Sequence, residues 1–376
     1  MKKLLWFLIL TLDLGPCLPA GEAGTLDLRA SGAGTSSADF LNIGLGARAT
    51  AMGGSFVGLA DDASAIYWNP AGLSQLLEQE VGFLHAQWLS GINYEYGFYA
   101  APHPGWGTWA ASVTLLHKND IPGFDETGGS LGEVSVKNQV ATLGWGSSLF
   151  VEGLSLGGSV KWIQENLAGY SANSYAADLG ALYSLTENPF YKVQAGLSLR
   201  HLGNHGNFVS GSESLPRTLA VGVGFKGWDQ RLSVGLDGVF PKDAGLGFFT
   251  IGSEYWVHPV VAIRSGYRWN ADIGTGFSAG AGFRVGAFQF DYTVSDFGAL
   301  GLTHRGGISY RFGGAMGRYY REGLALMRQE SYAEAFLKFN NILSLDPGNK
   351  RAILRMKECQ THIQKELKEG GVPLKP

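Results

Sequence analysis

Between Gln79 and Phe312 the chain falls into runs of about ten residues in which apolar and polar side chains alternate. Trp109, Ala111, Val113 and Leu115 alternate with Thr108, Ala110, Ser112 and Thr114. Val193, Ala195, Leu197 and Leu199 alternate with Gln194, Gly196, Ser198 and Arg200, and Phe288, Phe290, Tyr292 and Val294 with Gln289, Asp291, Thr293 and Ser295. A period of two is the pattern of a strand with two unlike faces. Ten residues is the length that a tilted strand needs to cross hydrocarbon. Fourteen runs begin near Gln79, Gly91, Gly105, Leu131, Leu154, Ala172, Phe190, Leu215, Gln230, Gly245, Pro259, Gly274, Ala287 and Leu302. The expected fold is therefore an all-β transmembrane barrel of about 14 antiparallel strands, an even number with both ends on one side. The run over 134–149 loses phase, which predicts a bulge.

The connections follow the same logic. Those after even runs are short, around Pro102-His103-Pro104, Val151-Glu152-Gly153, Asn188-Pro189, Gly227-Trp228-Asp229, His258 and Gly286. Several after odd runs are long: Lys118 to Ser130, His201 to Ser214 and Asp296 to Gly301. Short turns at one end and long loops at the other characterise membrane barrels, with the short side periplasmic. Two packed soluble sheets would have no reason to alternate in this way.

Composition agrees. The 376 residues include 56 Gly, 12% aromatics and only 16% charged residues, and mean hydropathy is +0.01, which leaves no room for a stack of membrane helices. The formal net charge of −3 gives no reason to expect a nucleic-acid partner. Charges sit on the polar faces of the runs: Asp178, Arg200, Arg231, Asp237, Glu254, Arg264, Arg268, Arg284, Asp291 and Arg311. Facing lipid they would cost a few kcal/mol each at mid-membrane, so they are expected in the lumen. Both signs occur, which predicts a paired, crowded interior rather than an ion filter.

Residues 1–23 read as a signal peptide, with Lys2 and Lys3, the apolar stretch from Leu4 to Leu12, and Ala20 or Ala23 at the cleavage point. Cys17 could mark a lipoprotein, although Pro16 before it fits poorly; without it Cys359 is left alone and no disulfide can form. Residues 24–78 carry Phe40, Ile43, Leu45, Met52, Phe56 and Val57 between glycines. Such apolar residues suit a segment packed inside something better than a solvated leader. Near its end, Asp61 or Asp62 is expected to cap a short helix over 63–68 that Pro70 stops at Trp68 or Asn69. Asn69 and Pro70 then set the junction with the first strand, Asn69 by local hydrogen bonding.

The last run ends on Phe312, resembling the terminal signal read by the barrel assembly machinery, and Gly313-Gly314 mark a boundary. Residues 313–376 turn helical: 319–328, a second helix to Leu345 with Ser331 and Glu334 as capping box, and a third over 351–368. Gly323, Ala335, Phe339 and Pro347 stand at spacings resembling a tetratricopeptide unit, with Leu326 and Tyr319 where Tyr and Trp are common. One unit is fewer than such repeats usually need to stand alone. The tail is expected in the periplasm, folded on the barrel rim or held by a partner protein.

No catalytic or cofactor motif emerges. His201 and His205 are four apart, but in what reads as a loop, where that spacing aligns nothing for a metal. Adjacent Asp61 and Asp62 should point apart. Gly274-Thr275-Gly276 opens a hairpin and no helix, so it is no phosphate loop. The chain is expected to be non-enzymatic, without cofactor or metal.

Residues Phe40-Leu41-Asn42-Ile43-Gly44-Leu45-Gly46-Ala47-Arg48-Ala49, then Gly53-Gly54 and Leu59 to Leu73 with Asn69-Pro70-Ala71-Gly72, resemble the PorV/PorQ family of outer-membrane proteins, within the wider FadL-like barrels. The resemblance implies a FadL-like barrel (79–312) in the bacterial outer membrane, with residues 24–78 as a lumenal hatch and Asp61, Asp62, Asn69, Pro70, Ala71 and Gly72 at the hatch junction. It implies a PorV-like part in type IX protein secretion and surface attachment, with secreted cargo proteins and a surface attachment complex as partners. The alternative is FadL-like uptake of hydrophobic compounds such as long-chain fatty acids; a third reading is an envelope scaffold.

Overall fold

Fourteen antiparallel strands close on themselves, each bonded to its sequence neighbours and β1 to β14. They are β1 (Gln79–Gln87), β2 (Asn93–His103), β3 (Gly107–Phe124), β4 (Ser130–Val151), β5 (Leu154–Leu167), β6 (Tyr170–Glu187), β7 (Tyr191–Asn204), β8 (Thr218–Gly227), β9 (Leu232–Pro241), β10 (Phe248–His258), β11 (Val261–Trp269), β12 (Phe277–Val285), β13 (Phe288–Asp296) and β14 (Leu302–Phe312). The structure, a computed structural model, describes residues 38–369 except 104, 152, 188–190, 205–213, 229, 243–246 and 270–273. The expected signal peptide, Cys17, His205 and the 205–213 part of the loop after β7 therefore lie outside the described residues.

Alternation along each strand sorts residues between lipid and lumen. On β3, Thr108, Ser112 and Thr114 are buried while Val113 is 58% exposed on the opposite face. The outward residues are apolar because hydrocarbon is their solvent, and closure leaves no strand edge unpaired. Outward aromatics collect near the two ends: Tyr99, Trp109, Tyr183, Tyr191 and Tyr255 toward the short turns, Phe240, Phe249, Tyr267 and Trp269 toward the other end, as the girdles of a membrane barrel do. Among the described residues no helix is long and apolar enough to cross a membrane; the strands do the crossing.

Several strands outrun the expected ten residues. The stretch Lys118–Ser130, expected as a loop, is mostly strand: β3 and β4 stay paired, Ile121 opposite Val134, up to a turn at 125–129. Asp125 closes that turn, its Oδ1 accepting from Thr127 N (2.9 Å), Thr127 Oγ1 (2.7 Å) and Gly129 N (2.7 Å). Those bonds hold its carboxyl below the usual range. Beyond the membrane no lipid face demands alternation, so pairing continues where the pattern stops. The lost phase has its counterpart in register shifts between Ser147 and Val151 and, on the partner strand, between Lys118 and Ile121. His201 lies on β7 rather than in a loop and is buried.

Residues 38–76 fill the lumen. They form helical turns at Asp39–Asn42 and Pro70–Gln75 and two short helices, α1 (Ala47–Ala51) and α2 (Ala65–Trp68). Met52, Phe56, Leu59, Ala65, Ile66 and Leu73 are all at most 1% exposed. The segment winds along the inner wall, and each strand from β4 to β12 meets it with an inward glycine. A Cβ at Gly266 would lie 2.0 Å from the Gly53 nitrogen; at Gly252, 2.2 Å from the Met52 carbonyl oxygen; at Gly196, 2.3 Å from that of Val57; at Gly157, 2.4 Å from the Pro70 carbonyl carbon. Backbone therefore packs on backbone, and any side chain at these positions would push the plug off the wall.

At the end with the short turns, α3 (Ala315–Arg328), α4 (Tyr332–Leu345) and α5 (Lys350–Glu369) pack together. Their core holds Tyr320, Ala335, Phe339, Ile342, Ala352 and Cys359. Gly323 lets α4 approach, since a Cβ there would meet the Phe339 ring at 2.6 Å; Pro347 sits between α4 and α5. Ser331 makes no side-chain cap, contrary to the expected capping box; the α4 start is held by Ala335 N donating to the Ser331 carbonyl (3.0 Å). Asn349 does cap α5, through Ala352 N (3.0 Å).

Two outcomes follow. Gly266→Val should displace the hatch at a cost of roughly 1–3 kcal/mol or more from overpacking, read as faster protease cleavage within 47–60 while the barrel still shifts on an unboiled gel. Burial pushes the Cys359 thiol up to about 11, so the folded tail should resist maleimide at pH 8. Because the thiol is held protonated in the folded state, the tail should lose stability as pH rises from the ordinary thiol range toward 11, measurable by its helical signal on titration.

Candidate functional site

The hatch is anchored by Arg48. Its Nε and Nη2 donate to Glu254 Oε2 and Oε1 (2.8 and 2.7 Å) on β10, and its Nη1 donates to Asp61 Oδ1 (2.6 Å) and Asp62 Oδ2 (2.9 Å). Adjacent Asp61 and Asp62 were expected to point apart; they converge on one guanidinium because 61–64 turns sharply ahead of α2. Asp61 also binds Lys226 of β8. Asp62 Oδ1 accepts from Ser64 N (3.0 Å) within the turn, but the helix starts at Ala65 rather than Ala63 and its N-cap, Ser64, makes no side-chain cap bond, so neither Asp61 nor Asp62 caps it as expected. Arg264 Nε bonds Glu254 (2.7 Å) and its Nη1 bonds Asp291 (2.7 Å). Arg284 bonds Gln289, which donates to Asp291, and Arg311 pairs with Glu80 at 3.4 Å. Five cations and five carboxylates thus tie the hatch to β1, β8 and β10 through β14, Arg284 reaching Asp291 through Gln289.

A second anchor lies across the lumen. Lys161 pairs with Asp178 at 2.5 Å, and Asp178 also accepts from Ser159 Oγ (3.1 Å) and His201 N (2.8 Å). Asp237 takes Val57 N (2.8 Å). Asn69 is the seam itself. Its Oδ1 accepts from Ala71 N (3.2 Å), and its Nδ2 donates to Val57 O (2.9 Å) and Ala181 O (3.0 Å) of β6. Pro70 and Ala71 press against Gly157 and Gly180, and a Cβ on Gly72 would lie 2.0 Å from the Ala60 carbonyl oxygen. Arg231, expected in the lumen, is exposed in the turn before β9, its carbonyl accepting from Trp256 N. The alternation extends to it, but the strand begins one residue later, at Leu232.

Toward the long-loop end the balance of charge changes. Arg200 lies over the rings of Tyr67 (5.2 Å) and Trp68 (5.7 Å), Arg268 over Phe248 (4.6 Å) and Arg305 over Trp88 (5.0 Å). None of the three has a carboxylate partner among the described residues. Arg305 is 4% exposed and its Nε has no acceptor. Arg268 and Arg305, with Trp68, Trp88, Phe277 and Phe297, line a cavity of about 230 Å³ whose floor is Gly53-Gly54 of the hatch. Two carboxylates, Asp39 and Asp296, also border it; Asp296 is held by Thr275 (2.6 Å) and Gly298 N (2.9 Å).

The polar-face reading found Arg200 and Arg268 but missed Glu80, Lys161, Lys226 and Arg305. All four fall on inward positions of predicted runs, so strict parity was the available signal. That Arg48 is the hub could not be read from a segment without period.

A closed barrel, a wall-packed plug and girdled ends leave one architecture. The chain is a fourteen-stranded barrel of the outer-membrane type. Residues 29–180 match the model of an uncharacterised protein family (UPF0164). No curated protein sequence matches the chain. Among solved structures, the Ralstonia pickettii toluene transporter TbuX is similar over 72% of this chain and 99% of that one, at 16% identity and TM-score 0.50. A mutant of the monoaromatic hydrocarbon channel TodX covers 71% and 98% at 14% identity and TM-score 0.47, and a Pseudomonas aeruginosa FadL homologue 69% and 96% at 11% and 0.42. The likeness to TbuX is one of fold.

Arg48→Met should leave Asp61, Asp62 and Glu254 short of a buried counter-charge, a loss of about 3–5 kcal/mol. The expected result is hatch amides that exchange far faster than those of β4–β8, followed by hydrogen–deuterium exchange.

Proposed function

We propose that the barrel admits small molecules with an apolar body and an anionic group at its long-loop mouth, and that the hatch controls their onward passage. The observation that carries this is the mouth cavity, with aromatic walls and two arginines that make no ion pair among the described residues. Unpaired guanidinium groups at a buried surface favour an anion, and the rings beside them favour flat or acyl apolar groups. A neutral hydrocarbon such as the toluene handled by TbuX would use the rings and leave the arginines unanswered. The short-turn end, with the helical tail, is taken as periplasmic, following the loop asymmetry.

A second reading, assistance to protein secretion, draws on the β3–β4 ribbon. It projects beyond the barrel and carries Phe124 at its tip, 64% exposed, a shape suited to touching a protein cargo. Pull-down from the native envelope separates the two: recovery of secreted proteins that is lost with Phe124→Ser favours the ribbon. Tetratricopeptide-like peptide binding by the tail, or a scaffold role, would show in the same experiment as periplasmic proteins held by residues 315–369.

The uptake reading is tested with an anilinonaphthalene sulfonate probe on purified protein in a non-fluorescent detergent. Trp88→Ala or Arg305→Gln should each weaken binding by about tenfold, the loss of roughly 1.4 kcal/mol. Equal binding by wild type and an Arg268→Gln/Arg305→Gln double variant would discard it.

A further inference from the structure

Three consecutive residues are divided between two bodies, the hatch and the tail. Leu76 is buried in the hatch core, Leu77 packs into the core of the tail helices, and Glu78 is held on the outside of α3 by Arg321. The next residue, Gln79, begins β1. Just upstream, Gln75 Nε2 donates to the Leu59 and Ala60 carbonyls (2.8 and 3.2 Å), tying the same strand of chain back into the hatch. The contact with α3 is close. Cβ atoms at Gly314 and Gly317 would stand 2.6 and 2.2 Å from Glu78 Cγ. The Glu78 carboxylate thus lies along the first turns of a 14-residue helix, whose positive end suits it. A residue spans at most about 3.6 Å of chain, so there is no slack between these attachments.

We infer that the C-terminal helices are a latch on the hatch: with α3 seated on Leu77-Glu78 the exit of the hatch is pinned, and release of α3 loosens residues 69–76 against the wall. The control acts on the passage proposed above and rests on that reading for its purpose, but not for its detection. Leu77 cannot follow the hatch inward without leaving the tail core, and Glu78 cannot follow without leaving Arg321. The wall holds the same stretch from its other side, Asn69 through the Ala181 carbonyl of β6 (3.0 Å) and Gln75 through Lys192 of β7 (3.4 Å), so α3 is the second of two restraints on it. Release of the tail therefore leaves the wall contacts as the restraint on 69–76.

The test is hydrogen–deuterium exchange on the full-length protein in detergent, with amides of β5–β8 as the record of barrel integrity. Gly317→Leu wedges α3 from Glu78; Arg321→Glu repels Glu78 from an exposed position and gives a second lever that leaves the helix core alone. Both should raise exchange of the 69–76 amides at least tenfold with β5–β8 unchanged, and Glu78→Lys added to Arg321→Glu should restore protection. The latch is overturned if protease cuts at Gly313-Gly314 show α3 released while 69–76 stays protected. It is equally overturned if β5–β8 loosens in step, which would make the tail a general brace of the barrel. Probe binding at the mouth is recorded in the same samples, so loss of the uptake reading and loss of the latch are told apart.

Discussion

Everything in this molecule depends on how closely the hatch backbone can approach the wall. A fourteen-stranded barrel encloses more space than wall side chains alone fill. Here the space is filled by a segment of the same chain, laid against the strands with glycine on the facing side from β4 to β12. That proximity is what makes the ionic contacts possible. Arg48 reaches Glu254 on the wall and Asp61-Asp62 on the hatch only because the hatch lies within one side-chain length of β10. The high glycine content serves this packing as much as it serves the strands.

Charge is distributed by height in the lumen. Around Arg48 and Glu254 four of the five cations pair with a carboxylate and Arg284 reaches one through Gln289; the hydrogen bonds are mostly short and partly bidentate, the arrangement that offsets the cost of desolvating both partners. Toward the long loops Arg200, Arg268 and Arg305 are supported by aromatic rings instead. Paired charge holds the plug, while unpaired charge beside a cavity leaves attraction to spare for a solute. Trp68 joins the two regions: its Nε1 donates to the Leu45 carbonyl (2.8 Å) within the hatch and its ring borders the cavity. Movement of the hatch therefore changes the floor of the cavity.

The barrel was legible in the sequence because lipid and lumen impose opposite demands on successive residues, and each strand had to write that alternation locally. Strand number, the short-turn end and the inward sense of Asp178, Glu254, Arg264 and Asp291 all came from it. Where the demand lapses the pattern lapses too: the extended β3–β4 ribbon and His201 carry no alternation that separates them from a loop, and Arg231 continues the alternation one residue ahead of a strand that starts at Leu232. The tail helices could be read from their own period, though Ser331 makes no cap bond.

The sequence by itself determined the wall, because a strand's faces are a matter of neighbours two residues apart. It also determined that residues 38–78 had to be buried somewhere, since their Phe, Met and Trp are unsuited to water. Only the tertiary structure decided where. The partners of Arg48 are 13, 14 and 206 residues away, and no local pattern encodes a meeting at that separation. The same holds for Leu76, Leu77 and Glu78, an unremarkable triplet in the text. Folding divides it between the hatch core and the tail, because chain closure brings the start of β1 beside the end of β14.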